Sequence, residues 1–297
     1  MAICSTDLEV TAMQYASPLR YPGGKRKLAE FVGDVVIQNG IQGGTYIEPF
    51  AGGASVALYL LFNEYVNQVV INDLDRSIYA FWYCALNRTE ELCTRIRNAE
   101  ITIEEWKRQR GVQGGKDNVD LVDLAFSTFF LNRTNRSGII KGGVIGGQGQ
   151  AGEWKMDVRF NKRDLIRRIE KISLYRGRIG VYNKDALDFV GSMLPMIDEH
   201  TLIYFDPPYY NQGSGLYVNH YSHQDHKTLS LFIQNLTCKW ILTYDHAPQI
   251  IEMYKDARKK SLTLSYTACR KAKGSEMLAY SRNCAIPDRM YSAISIE

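Results

Sequence analysis

Apolar residues fall into two rhythms along this chain. Short unbroken runs, Thr45-Tyr46-Ile47, Gln68-Val69-Val70-Ile71, Ile179-Gly180-Val181-Tyr182, Thr201-Leu202-Ile203-Tyr204-Phe205 and Trp240 to Tyr244, read as strands buried in a sheet. Between them apolar positions recur three and four apart. Leu28, Phe31, Val32, Val35 and Val36 form one such set, running to a stop at Asn39-Gly40. Ser55 to Asn63, Ile78 to Leu86, Glu90 to Ala99 and Asp120 to Leu131 form others, as do Leu165, Ile169 and Ile172. A further run extends from Asp225-His226 through Leu236. These predict helices, and strands alternating with helices predict an α/β fold. Leu262 to Ala268 and Glu276 to Tyr280 predict a closing antiparallel pair, joined by the basic turn Arg270 to Gly274.

Several strands end in an acid. Val70-Ile71 runs into Asn72-Asp73-Leu74-Asp75, Val181-Tyr182 into Asn183-Lys184-Asp185, and Tyr204-Phe205 into Asp206-Pro207-Pro208-Tyr209-Tyr210. In the last case two prolines forbid continuation of the ladder, so the strand stops at Asp206. Each proline also holds the residue before it extended. A rigid rim results, carrying the Asp206 carboxylate, the Pro207 carbonyl and the Tyr209 ring at the carboxyl end of a strand, where ligands bind in open α/β sheets.

Two glycine turns precede helices. Glu48-Pro49-Phe50-Ala51-Gly52-Gly53-Ala54 lies between a strand and a helix, as in the first half of a nucleotide-binding βαβ unit. Asp73 lies 20 residues after Gly53, the distance at which such units place a ribose carboxylate. A cap for the following helix is the alternative reading of Asp73. Gly23-Gly24-Lys25 opens another helix and offers amide N–H groups and an ammonium to an anion, although a plain turn fits it as well.

Composition sets the frame. The 297 residues are 45% apolar and 23% charged, suited to one large α/β domain carrying an insertion. No run reaches membrane-spanning length and the start lacks a signal-peptide pattern, so a cytoplasmic protein without a membrane partner is expected. Six scattered cysteines argue against a disulfide framework or a zinc knuckle. His220, His223 and His226 lack further ligands nearby, and no metal is expected.

The net charge of +4 is unevenly spread. Residues 131–178 hold twelve Lys/Arg against four acids, a net of +8, so the remainder carries −4. Lys255 to Lys273 adds seven cations against Asp256. Such patches are the footprint of a polyanion binder, or else a solvated helix face. Residues 100–120 are polar and charged, with Gly111, Gly114 and Gly115. Asn132-Arg133-Thr134-Asn135-Arg136-Ser137-Gly138 then leads into an acid-free, glycine-rich stretch containing Lys141. Arg133, Asn135, Arg136 and Lys141 offer amide and cationic groups to an anionic surface. The predicted organisation is a catalytic domain of 1–95 plus 175–297 with an inserted, mostly helical module at 96–174.

The rim suggests a chemistry. An amine conjugated to an aromatic ring is a poor nucleophile, and two fixed acceptors for its N–H bonds, Asp206 and the Pro207 carbonyl, would favour the state in which positive charge develops on nitrogen. Tyr209 would stack on the ring. A base inside a duplex must be flipped out to reach such a rim.

These motifs, in this order, resemble Dam-type DNA adenine N6-methyltransferases over nearly the whole chain. Tyr21-Pro22-Gly23-Gly24-Lys25, Glu48 to Ser55, Asn72-Asp73, Leu131-Asn132-Arg133 with Gly138-Ile139, and Asp206-Pro207-Pro208-Tyr209 carry the likeness. The resemblance implies a Rossmann-like S-adenosylmethionine (SAM)-dependent fold with a target-recognition insertion. It implies cofactor contacts from Tyr21, Lys25, Phe50, Gly52, Asp73, Asp185 and Asp206, and catalytic roles for Asp206, Pro207 and Tyr209. Double-stranded DNA is the implied partner, with a cognate restriction enzyme as a candidate companion and a monomer or weak dimer as the expected state. Thr134-Asn135-Arg136-Ser137 departs from the more aromatic pattern of GATC readers, so that specificity is not carried over. Methylation of cytosine N4, RNA or protein glutamine, and a silent DNA-binding relative, are the competing readings. Asp206 in place of Ser or Asn favours adenine.

Overall fold

The computed structural model describes residues 17–20, 23–211, 221–264, 274–292 and 294–296. In chain order the elements are α1 (Ala29–Gln38), β1 (Thr45–Glu48), α2 (Ser55–Phe62), β2 (Gln68–Asn72), α3 (Arg76–Asn87), α4 (Thr89–Asn98), α5 (Ile103–Gly114), α6 (Leu121–Thr134), α7 (Lys162–Ser173), β3 (Ile179–Tyr182), α8 (Ala186–Met193), β4 (Thr201–Phe205), α9 (His223–Gln234), β5 (Lys239–Asp245), α10 (Pro248–Met253), β6 (Arg258–Leu264), β7 (Gly274–Tyr280) and β8 (Ile294–Ile296). The fold is mixed α/β and Rossmann-like. No described helix is long and apolar enough to cross a membrane.

Two compact units are present, one of Lys25–Asn72 with Lys184–Glu297, the other of Met1–Gly24 with Asp73–Asn183. The first is built on a sheet with strand order β2-β1-β4-β5-β7-β6-β8. β2, β1, β4 and β5 run parallel, with Thr45 facing both Gln68 and Thr201 and Leu202 facing Lys239. β7 and β6 pair antiparallel, as expected of the two terminal runs although β6 begins earlier, at Arg258, and β8, which no run announced, adds antiparallel to β6. The turn assigned to Arg270–Gly274 lies, up to Lys273, outside the described residues. Every residue of β4 is buried, which is why its sequence shows no polar alternation. On α1, Phe31, Val32, Val35 and Val36 are buried on the predicted face.

The second unit is a helical bundle whose chain segment ends with β3. α6 is its axis: Phe129 stacks on Phe81 at 6.0 Å and meets Phe160 edge-on at 5.4 Å. On α7, Leu165, Ile169 and Ile172 are buried, and Asn161 caps the helix by accepting the Asp164 amide at 3.2 Å. The unit is longer than the expected module of 96–174, because α3 and α4 pack against α6 and α7. The stretch 100–120, to which the apolar period assigns no element, contains α5. Thr102 caps it, and its contact with α6 is made by polar groups: Gln113 donates to Ser127 Oγ at 3.1 Å and Thr128 Oγ1 at 3.2 Å, and Ser127 donates to the Gln109 carbonyl at 2.8 Å. An interface stitched this way leaves no hydrophobic stripe to detect.

Candidate active site

β4 ends at Phe205 and the Pro207-Pro208 pair follows, so Asp206 stands just beyond the carboxyl edge of the sheet. It is partly exposed, and its two oxygens differ. Oδ1 lies 2.9 Å from Lys25 Nζ and accepts a hydrogen bond from Thr243 Oγ1 at 3.0 Å. Among the described residues no hydrogen bond reaches Oδ2 or the Pro207 carbonyl. Thr243 is in turn paired with Tyr204 Oη at 2.8 Å, so the inner side of Asp206 is tied to β5 and β4.

Lys25 is buried, and it binds more than Asp206. Its ammonium donates to Tyr209 Oη at 2.6 Å and lies 3.6 Å from Glu276 Oε2. Tyr209 donates its own hydroxyl to Glu276 Oε1. One ammonium, two carboxylates and a phenol thus form a closed cluster in the sheet unit. Glu276 is 3% exposed, and burial first, then the neighbouring Asp206 charge, pushes its pKa up while Lys25 pulls it down. The chain leaving the rim is fixed by Asp245, which accepts the Tyr210 amide at 2.9 Å and the Asn211 amide at 3.1 Å.

At the end of β1, buried Glu48 accepts from Tyr46 Oη at 3.0 Å and from the Ala57 amide at 3.1 Å. Burial raises its pKa to about 8. The glycine turn follows, with Gly52 at φ 46°, in the left-handed region that glycine tolerates without cost. Phe50 is half-buried and meets the Tyr221 ring edge-on at 6.1 Å. Asn72 braces this turn from β2, donating to the Pro49 and Lys184 carbonyls at 3.0 Å and accepting the Lys184 amide at 3.0 Å. Asp185, next to Lys184, caps α8 by accepting the Leu187 amide at 2.8 Å.

Of the expected cofactor and catalytic residues, Lys25, Asp206 and Tyr209 are in direct contact. Phe50, Gly52 and Asp185 belong to the same unit, and Tyr21 lies outside the described residues. Asp73 belongs to the helical unit, where it accepts the Asp75 amide at 2.9 Å. The cap of α3 is Asp75, which accepts the Ser77 amide at 3.0 Å. Of the histidines, His226 is buried and bonded to Tyr244, and His223 pairs with Tyr210 at 3.0 Å. Among the described residues no three His, Cys, Asp or Glu cluster as a metal site.

The expected DNA-facing residues separate into two kinds. Arg136 and Lys141 are exposed. Arg133 is buried and spends its guanidinium on the Pro18 carbonyl, with Nε donating at 2.7 Å. Burial and the charges of Arg168 and Arg20 pull its pKa down. Asn135 is buried too, accepting from Trp106 Nε1 at 2.7 Å and donating to the Ile139 and Ile140 carbonyls at 2.9 Å. Both therefore shape the loop, while Arg136 and Lys141 line its outside. Asn132 pairs with Arg20 on both sides, accepting its amide at 2.7 Å and donating to its carbonyl at 2.6 Å. Gly138 packs so close that a Cβ there would meet the Arg20 carbonyl oxygen at 2.3 Å.

Sequence reasoning missed three groups. Glu276 was legible only as the acid that opens an apolar strand. Thr243 gave no signal within β5. Gln150 organises the glycine-rich loop, donating to Ile145 and Gly147 carbonyls at 2.8 and 2.6 Å and accepting the Met156 amide at 3.0 Å. That loop carries Trp154, 62% exposed, beside the exposed cations Lys155 and Arg159.

Residues 21–267 match the family described as D12 class N6 adenine-specific DNA methyltransferase. A curated relative, the Type II methyltransferase M.MjaIII of Methanocaldococcus jannaschii, is 22% identical over 207 residues, covering 64% of this chain and 68% of the relative. A solved structure, protein LPL1258 of Legionella pneumophila, aligns at 10% identity over 91% of this chain and 96% of its own, with a TM-score of 0.34. On the family match, the chain belongs to the D12 class N6 adenine-specific DNA methyltransferases, and adenine-specific DNA methylation is its activity.

Proposed function

We propose that SAM is the methyl donor, and that the acceptor is an adenine of double-stranded DNA turned out of the helix onto the rim at Asp206. The observation that carries this reading is the asymmetry of Asp206. Lys25 and Thr243 anchor Oδ1, and among the described residues no hydrogen bond occupies Oδ2 or the neighbouring Pro207 carbonyl. These are the two acceptors that an exocyclic amine with two N–H bonds requires. Acceptors fixed before the substrate arrives need no reorganisation as positive charge develops on the nitrogen. Tyr209, held at its hydroxyl by Lys25 and Glu276, offers its ring as a stacking surface.

The sheet unit fits a cationic, adenine-bearing donor. Asp206 and Glu276 set two carboxylates against one ammonium, and the Gly52 turn and the half-buried Phe50 ring lie at the same carboxyl edge. Lys25, Phe50, Gly52, Asp185 and Asp206 are the residues of this unit that would hold it. Tyr21 and Asp73 stay in the set on their sequence motifs. When bound, SAM supplies an electrophilic methyl group. The proton lost from the methylated amine passes to Asp206 Oδ2 or to water.

On the DNA side, Arg136 and Lys141 would meet phosphates, and Trp154 would stack on a base or sugar. Arg133 and Asn135 hold the loop that presents them. The description of the relative as a Type II methyltransferase supports a restriction–modification setting with a cognate restriction enzyme.

The test is transfer of a labelled methyl group from SAM to duplex DNA taken from a host without adenine methylation. Wild-type protein transfers the label to adenine N6, and Asp206→Ala does not. Label arriving on cytosine, or undiminished transfer by Asp206→Ala, overturns the reading.

A further inference from the structure

We propose that Glu276 is a positioning residue for methyl transfer, acting through the Tyr209 hydroxyl and the Lys25 ammonium. The inference rests on the roles of Asp206 and Tyr209 given above. It adds a residue from β7, outside every motif that carries the family likeness.

Three facts point to it. First, the hydrogen-bond directions around Tyr209 are forced. Lys25 can only donate, and an ionised carboxylate can only accept. The Tyr209 oxygen accepts from Lys25 at 2.6 Å, so its own proton goes to Glu276 Oε1. Without an acceptor at Glu276 the phenol would lose the hydrogen bond that receives its proton, one of the two that hold the ring at its outer end. Its other end is fixed by the Pro207-Pro208 backbone, so the ring plane depends on both anchors.

Second, Glu276 Oε2 is buried, lies 3.6 Å from Lys25 Nζ, and has no hydrogen-bond partner among the described residues. A half-satisfied buried carboxylate is costly to keep. An isolated need to fill β7 would be met better by an apolar residue, as at Met277 and Leu278 beside it. Retention of the acid at this spot therefore has a reason in the cluster it faces.

Third, Lys25 is shared. Its ammonium bridges Asp206, which faces the substrate, and Glu276, which does not. A second carboxylate behind Lys25 draws the ammonium inward and limits how far it can follow Asp206. The groups that face Glu276 are Lys25 and Tyr209 directly and Asp206 through its charge.

The test is a double-mutant cycle on methylation of unmethylated genomic DNA, with Glu276→Ala, Glu276→Gln, Tyr209→Phe and the pair Glu276→Ala/Tyr209→Phe. The expected result is a fall in kcat of about tenfold or more for Glu276→Ala with KM for DNA within about threefold. Tyr209→Phe falls by a similar factor, and the pair is no worse than about twofold below the poorer single variant, the non-additivity of residues acting as a unit. Glu276→Gln keeps an oxygen that can accept from the phenol, and recovers kcat to within about threefold of wild type. Multiplicative losses in the pair, or a Gln variant as slow as the Ala variant at an unchanged melting temperature, overturn the proposal. If Glu276→Ala does not fold, the same cycle run with Glu276→Met decides. Methylation surviving in Asp206→Ala would instead remove the reading beneath it, so the two failures are distinguishable.

Discussion

Lys25 Nζ sits 2.9 Å from Asp206 Oδ1, joining the residue that opens the sheet unit to the one that follows its central strand. The Lys25 side chain is 3% exposed and compensates two carboxylates, so its removal leaves both without a counter-ion. Replacing Lys25 by Met is expected to destabilise the protein by about 3 kcal/mol, the scale for breaking a buried ion pair from one side. The pair Lys25→Met/Glu276→Gln should regain at least half of that loss. Denaturant unfolding of the three proteins checks it, and a double variant no more stable than the single would count against the shared-counterion account.

Glu48 makes stability depend on pH. Its folded pKa of about 8 stands above the ordinary 4.5, so the folded state holds the proton more tightly than the unfolded chain. The stabilising contribution is full below about 4.5 and is lost as pH rises through about 8. Glu48→Gln keeps an acceptor for Tyr46 and Ala57 but has no charge to bury. Relative to wild type, this variant should therefore gain stability between about pH 5 and 8, by an amount on the order of a few kcal/mol, and then level off. Thermal unfolding at three pH values across that window reads the difference directly. A constant gap between the two proteins would refute it.

The two exposed cations and the buried one should behave differently. Arg136→Ala and Lys141→Ala are each expected to weaken DNA binding and to reduce the slope of log affinity against log salt by about one. Neither should change the melting temperature. Arg133→Ala unties the Pro18 carbonyl and should lower the melting temperature by several degrees. Filter binding at several salt concentrations, with calorimetry alongside, separates them.

Trp154 can be followed by its own light. Trp82, Trp106 and Trp240 are 1%, 7% and 3% exposed, against 62% for Trp154. Added duplex DNA should quench and shift the emission of wild-type protein and leave that of Trp154→Phe nearly unchanged. Trp154→Ala should lose about tenfold in DNA affinity, the scale of one stacking contact, without losing SAM affinity. An equal emission change in both proteins would place Trp154 outside the interface.

Much of this molecule was legible in its sequence. β4 could be read because a fully buried parallel strand must be an unbroken apolar run, and Asp206 because two prolines leave no alternative to a strand end. α7 could be read because Leu165, Ile169 and Ile172 keep a helical spacing against charged neighbours. α5 could not, since Gln109, Gln113 and Ser127 make an interface in the same residue types that make a surface. The division of labour in the recognition loop was hidden for a related reason. Arg133 and Arg136 are the same residue type three positions apart, and only the position of the Pro18 carbonyl sets one inside and the other outside. Glu276 escaped because its partners, Lys25 and Tyr209, arrive from distant parts of the chain.

The side-chain amide of Asn132 does for Arg20 what a neighbouring strand would, meeting both its N–H and its carbonyl. The same amide nitrogen also reaches the Gly138 carbonyl at 2.8 Å. The loop that follows α6 and the segment that leads into the Gly23-Gly24-Lys25 turn are thus fastened at one rivet. Loss of the Asn132 amide would therefore release both at once, Arg20 on one side and Gly138 on the other.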